Sequence, residues 1–228
     1  MLAQLFGKEF ARRRALKRAE PGPLRDFLAT PFPSKDLACR ATPIVALDLE
    51  TTGLDPKRDN ILSIGLVDVR ELAVRLDTAW HQVVQIEHPL REDSVIIHEI
   101  TDDAAAAGRP LDEVLPRLLE KMAGCVMLVH YKNIEQNFLD AACRRLYGAP
   151  FVIPTIDTLA LALRVYQRTN YTVQTGDLRL FNLRPRYNLP RYKAHNALSD
   201  ALATAELFLA MAAEMAPGGD CRIGRFLD

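Results

Sequence analysis

A chain of 228 residues, 49% of them hydrophobic and 25% charged, has the apolar material for one α/β domain with an added arm and a sizeable core. Its 29 basic and 29 acidic residues cancel, which excludes a global field that would draw in nucleic acid, so phosphate binding has to come from local patches. No apolar run approaches the roughly 18 residues of a membrane span. The basic N-terminus lacks the apolar stretch of a secretory signal. Cys39, Cys125, Cys143 and Cys221 lack metal-ligand spacing, so a reducing cytoplasm is expected, with Cys125 and Cys143 as core thiols.

In chain order, residues 1–20 read as a basic helix with Leu5, Phe6 and Phe10 to one side and Arg12, Arg13, Arg14, Lys17 and Arg18 following. Pro21-Gly22-Pro23 breaks it. Residues 24–43, with Pro31, Pro33 and Pro43, read as an extended docked connector, so 1–42 form an arm, 43–216 the domain and 217–228 a tail. The Lys8–Arg18 cluster reads as a nucleic-acid arm, a partner-binding helix or a helix packed on the domain through its Phe6–Phe10 face, and packing or docking of a protein partner is expected. Ile44–Glu50, Ile61–Val69 and Ala73–Ile86 read as three strands with short, hairpin-like connections. Apolar residues at 111, 114, 115, 118, 119 and 122 predict a helix over Leu111–Met122. Cys125–Val129 predicts a buried strand, Ile134–Leu146 a helix, and Phe151–Ile156 a fifth strand followed by a helix to about Tyr166. A long helix is expected over Ala194–Met215, stopped at Pro217-Gly218-Gly219. Three strands followed by alternating helix and strand imply an α/β fold with a mixed sheet.

Two acids two residues apart, Asp48 and Glu50, close the first strand and project to one face, while Leu47 and Leu49 project to the other. Carboxylates held that close repel unless a divalent cation lies between them. A bare Asp-x-Glu reads equally as a strand running into a solvated acidic turn. Further along, His195 precedes Asp200 by five residues at the start of the long helix. Asp200 lies among small and apolar residues, where a lone carboxylate is costly without a cationic partner; a capping His and a solvated Asp are the plainer alternative.

The string Asp48-Leu49-Glu50-Thr51-Thr52-Gly53-Leu54-Asp55 resembles the first motif of the DnaQ-like, DEDDh-type 3′–5′ exonucleases. His195-Asn196-Ala197-Leu198-Ser199-Asp200-Ala201 resembles their third motif. The second motif departs from the pattern. In His130-Tyr131-Lys132-Asn133-Ile134-Glu135-Gln136-Asn137-Phe138-Leu139, His130, Phe138 and Leu139 fall in register, whereas Tyr131, Ile134 and Glu135 stand where Asn, Phe and Asp are expected. Glu135 remains a competent oxygen ligand for magnesium or manganese. Ile97-His98-Glu99-Ile100-Thr101 is similar to a family segment whose His lies near the substrate. Ile156-Asp157-Thr158-Leu159 is similar to one that opens a helix, with Asp157 as an N-cap.

The resemblance covers roughly residues 43–213. It implies an RNase H-like fold with a mixed five-stranded sheet flanked by helices, to which the N-terminal helical arm is added. It implies two Mg2+ or Mn2+ ions held by Asp48, Glu50, Glu135 and Asp200, and His195 as general base. Thr51, Thr52, Leu54 and His98 would hold the terminal nucleotide. The expected activity is release of nucleoside monophosphates from the 3′ end of DNA, single-stranded by preference, with a role in DNA repair.

Residues 179–193 interleave Arg179, Arg184, Arg186, Arg191 and Lys193 with Phe181, Tyr187 and Tyr192 and lead directly into His195. Cations for phosphates and rings for bases suit single-stranded nucleic acid, and Arg184 and Arg186 are the expected contacts. The short segment after the last helix predicts a stand-alone exonuclease. An RNA or short-oligonucleotide exonuclease is the alternative, since these motifs do not read the sugar. The altered second motif also leaves room for a nucleic-acid-binding regulatory protein with weakened catalysis.

Overall fold

The computed structural model describes residues 3–86, 100–168, 171–217 and 221–228. Strands β1 (Ile44–Thr51), β2 (Ile61–Arg70), β3 (Ala73–Val83), β4 (Val126–Val129) and β5 (Thr155–Asp157) form one sheet in the order β3-β2-β1-β4-β5. β1 and β3 run antiparallel to β2, while β4 runs parallel to both β1 and β5. The mixed five-stranded sheet expected from the sequence is therefore present. The helices are α1 (Ala3–Arg18), α2 (Pro23–Ala29), α3 (Asp102–Ala106), α4 (Leu111–Met122), α5 (Asn133–Tyr147), α6 (Thr158–Arg168), α7 (Leu180–Leu183) and α8 (Ala197–Met215).

Strand β1 is central and covered on both sides, which explains its nearly unbroken apolar run. Val45, Leu47 and Leu49 face one core layer, with Leu115, Leu118 and Met122 of α4 and Phe138 and Leu139 of α5. Ile44 and Ala46 face the other, with Leu207, Phe208 and Met211 of α8 and Leu161 of α6. Strand periodicity continues that second face through Asp48 and Glu50. The two acids thus lie where β1 runs out from under α8.

The arm is docked, but differently from the expectation. Residues 24–43 are not simply an extended connector: Pro23, at the first position of a helix where no N–H is needed, opens α2, and Thr30 ends it in extended conformation. Leu24, Phe27 and Leu28 are buried, and Phe27 stacks on Phe151 at 5.5 Å between centroids. Phe10 does not pack on the domain; it is 68% exposed, and Ala15 and Ala19 make the contact instead. The side chains of Leu5 and Phe6 lie outside the described residues. Arg12 is buried, bonding Glu9 and the Leu28 carbonyl while stacked over Phe32 at 5.6 Å. The C-terminal residues also join the core, with Ile223 and Phe226 fully buried.

Three further boundaries differ from the expected ones. β3 ends at Val83 rather than Ile86. The apolar run Phe151–Pro154 is buried but irregular; Pro154 lacks an N–H for a ladder, though its carbonyl accepts from Met127 N–H at 3.0 Å. The long helix begins at Ala197, with Asn196 rather than His195 as its cap, the Asn196 side chain accepting from Ser199 N–H at 3.1 Å.

Candidate active centre

β1 delivers Asp48 and Glu50, the first turn of α5 delivers Glu135, the first turn of α8 delivers Asp200, and His195 comes from the segment entering α8. Ligand atoms of Glu50, His195 and Asp200 all lie within 4.8 Å of one another. Asp48 stands in the field of Glu135, Glu50 and Asp200; burial first, and those three charges next, raise its carboxyl pKa well above the usual carboxylate range. Glu135 is likewise raised well above its ordinary value, by burial and then by Asp157 and Glu50. It is only 2% exposed, and its Oε2 is buried with no hydrogen-bond partner among the described residues. Carboxylates gathered at this density repel as anions, and a divalent cation is the natural counter-charge. The glutamate in place of the expected Asp therefore still reaches the cluster.

The approach of α8 to β1 depends on one residue of β2. Gly65 pairs directly with Asp48, and a Cβ built on it would lie 2.2 Å from the Ala197 carbonyl carbon and 2.2 Å from the Leu198 nitrogen. Only glycine permits the first turn of α8 to rest on the sheet there. The entry segment is pinned as well: His195 adopts φ 67°, and its N–H donates to Asp200 Oδ2 at 3.1 Å. A left-handed residue other than glycine costs roughly 1–3 kcal/mol and persists where its surroundings over-determine it. Here the constraint ties the orientation of His195 to the carboxylate of Asp200, leaving the imidazole exposed.

A second clamp sets Glu135. Asp157 accepts the N–H groups of Tyr131 at 2.9 Å, Lys132 at 3.1 Å and Leu159 at 2.9 Å. The bond to Leu159 is the expected capping contact. The other two hold the turn into α5, in which Tyr131 has φ 74°. His130 braces the same turn: its Nε2 donates to the Leu178 carbonyl at 2.9 Å, and its Nδ1 meets the Thr158 hydroxyl at 2.8 Å. Burial lowers its pKa, consistent with a neutral ring protonated at Nε2.

Above these groups opens a cleft of roughly 680 Å³, floored by Asp48, Asp200 and His195 and walled by Tyr131, Arg179 and Phe181. That volume suits a small organic ligand. Of the residues expected to hold substrate, Thr51 and Thr52 continue β1 into a closed loop: the Thr51 hydroxyl donates to the Gly53 carbonyl at 2.6 Å, and Thr52 Oγ1 accepts from Asn60 N–H at 3.0 Å. Leu54 is 79% exposed at the loop tip. His98 lies outside the described residues.

Arg184 corrects the expectation. It is fully buried, and its guanidinium donates to the carbonyls of Pro190 and Ala203 and to Glu206 Oε2 at 2.6 Å, while stacking on Tyr192 at 4.6 Å. It is the rivet between the 184–192 loop and α8, and no surface is left for a phosphate. Arg186 is exposed but stacked on Tyr166 at 4.3 Å and Tyr171 at 5.5 Å, away from the cleft lining. Arg179 lines the cleft instead. The signal was present: Leu180, Leu183, Arg184 and Tyr187 follow helical spacing and form one inward stripe, on which Arg184 falls.

A mixed sheet in this order, with acids and a histidine gathered at the end of its central strand, defines an RNase H-like α/β protein with a carboxylate-rich centre. Solved structures confirm the fold. The nuclease domain of 3′hExo, described as a DEDDh family member bound to rAMP, superposes with TM-score 0.65 at 18% identity, covering 78% of this chain and 95% of that one. Exonuclease I superposes with TM-score 0.68 at 16% identity, covering 78% and 42%. The family model for exonucleases (RNase_T) matches residues 45–208, and the chain belongs to the exonuclease family. The DNA polymerase III PolC-type protein of Thermotoga petrophila is 30% identical over 176 residues, which is 77% of this chain but 12% of that protein. The resemblance read from the motifs is thus borne out, and the arm before residue 45 stands outside the family match.

Proposed function

We propose that the chain is a metal-dependent 3′–5′ exonuclease that releases nucleoside monophosphates from single-stranded DNA. The observation that carries this reading is that β1, α5, α8 and the segment entering α8 bring Asp48, Glu50, Glu135, Asp200 and His195 together, with Asp48, Asp200 and His195 lining one cleft. The raised carboxyl pKa values of Asp48 and Glu135 and the buried, unbonded Oε2 of Glu135 support a cationic occupant. Magnesium or manganese suits an all-oxygen carboxylate set. Asp48 lies in the field of Glu135, Glu50 and Asp200, so these four carboxylates would hold such ions together. Two such ions, when bound, would supply an activated water and stabilise the leaving 3′ oxygen. His195, exposed on the cleft and fixed by its backbone bond to Asp200, takes the proton from the attacking water. Leu54, Tyr131 and Phe181 offer apolar faces to the terminal base and sugar, and Arg179 offers its guanidinium to a phosphate.

DNA is favoured as substrate because relatives of this chain are described as DNA polymerase III PolC-type proteins. RNA is the second reading, favoured by a neighbour whose structure holds rAMP. Degradation of 5′-labelled single-stranded DNA and RNA, each with magnesium, manganese or chelator, decides between them. Metal-dependent shortening from the 3′ end supports the proposal; no shortening of either polymer with either ion rejects it. A protein partner, such as a polymerase, remains compatible with the docked arm.

A further inference from the structure

The arm adds a cationic groove that the catalytic cleft does not use. Helix α1 lies alongside α5. Lys8 is near enough to Lys132, at the head of α5, for that charge to help lower its pKa, after burial. About two to three turns further along, Arg14 and Arg18 face Gln136, Asn137 and Arg144 across a groove of roughly 480 Å³. The acid in the groove, Asp140, is already neutralised, accepting from Arg144 Nε at 2.6 Å and from Phe151 N–H at 3.0 Å. Arg14 and Arg18 are exposed and have no ion-pair partner among the described residues. One helical turn separates them, about 6 Å along the axis, close to the spacing of successive phosphates on an extended strand.

Continuity with the active centre comes through α5. The turn that opens this helix places Tyr131, 46% exposed, in the catalytic cleft and Lys132 beside it. Glu135 points inward to the carboxylate cluster, while Gln136 and Asn137 point to α1. A strand whose 3′ end lies at Asp48 would leave past Tyr131 and round the N-terminus of α5 to enter the groove, at a corner where Lys132 is already paired with Asp228.

We propose that the α1–α5 groove is a second nucleic-acid subsite, binding the sugar-phosphate backbone of the substrate several nucleotides upstream of the scissile bond. This rests on the exonuclease reading for its direction, but not for its binding. Contacts are to phosphates, so the subsite is indifferent to base sequence and sensitive to salt.

The test compares the full-length protein with Arg14→Ala/Arg18→Ala, using fluorescence anisotropy of a single-stranded DNA of about 30 nucleotides in chelator, where nothing is cut. Losing two phosphate contacts reduces the slope of log affinity against log salt by about 1.4, with roughly a tenfold loss of affinity expected at low salt. With magnesium, cleavage of a trinucleotide by the variant is expected to be unchanged while KM for the long strand rises. Unaltered affinity and salt slope for the long strand overturn the proposal and leave the groove to a protein ligand. An equal loss on trinucleotide and long strand also overturns it. Should the protein cut nothing, the anisotropy still reads the groove, so the two proposals fail separately.

Discussion

Gly65→Ala is a one-methyl perturbation whose consequence can be worked from the backbone. The added Cβ would lie 2.2 Å from both Ala197 C and Leu198 N, where ordinary contact begins at 3.4 Å. Both neighbours are backbone atoms, so no rotamer change relieves the clash. The first turn of α8 must retreat by about 1 Å, carrying Asp200 and the His195 bond with it, and a misplacement of that size costs on the order of 100-fold in rate. Overpacking of this kind costs about 1–3 kcal/mol, well inside the roughly 5–15 kcal/mol of a typical domain. The variant should therefore fold, melt about 2–12 °C lower, and release nucleotides about two orders of magnitude more slowly. Gly7→Ala is the control: nothing lies within 4 Å of its Cβ, and replacing glycine in a helix should stabilise by about 0.5–1 kcal/mol without changing the rate. Melting curves and a labelled-oligonucleotide assay measure both. Wild-type activity in Gly65→Ala would refute the idea that α8 is positioned through this contact.

Other outcomes follow from the same geometry. In metal-free protein, Asp48 and Glu135 have folded-state pKa values raised above their ordinary 3.8 and 4.5. Their contribution to stability is fully present below about pH 4 and is lost as pH rises through the folded values. Magnesium or manganese binds the deprotonated forms, so the melting-temperature gain on adding metal should grow with pH; a gain that is flat with pH contradicts the carboxylate site. By the same reasoning Asp48→Asn should be more stable than wild type in chelator while inactive with metal. His195→Ala should lower the rate by about 10²–10⁴ and keep the metal-induced rise in melting temperature. Arg184→Ala breaks a buried ion pair and strands two carbonyls, for about 3 kcal/mol and a melting point roughly 6–12 °C lower; its DNA-binding salt slope should not change, whereas a phosphate contact would flatten it.

Much of the centre was legible because its parts sit on regular elements. The period of two in β1 put Asp48 and Glu50 on one face, and the helical period gave Leu111–Met122 its observed bounds. The register of Glu135 to His130, Phe138 and Leu139 placed it in the first turn of its helix in spite of the atypical motif, and there it is buried in the field of Asp157 and Glu50. What escaped depends on contacts between distant segments. Gly65 matters only because α8 lands on it, and nothing local to β2 says so. Arg184 looked like a phosphate ligand because composition does not tell which arginine points outward; its partners Ala203 and Glu206 belong to α8, some twenty residues later. α2 was hidden by the prolines around it, although Pro23 itself suits a helix start. Asp157 read as a cap and proved also to hold the turn before Glu135, a role set by residues 25 and 26 positions away.

The central claim is that Asp48 and its neighbours form a metal-dependent centre working on a 3′ terminus. It is tested most directly by incubating a 5′-labelled single strand with purified wild-type protein and Asp48→Ala, each with magnesium and with chelator. The account predicts a ladder shortening one nucleotide at a time from the 3′ end, only for wild type and only with metal, with Asp48→Ala folded and inert. A ladder that persists in chelator or in folded Asp48→Ala, or cuts that begin inside the strand, would contradict it.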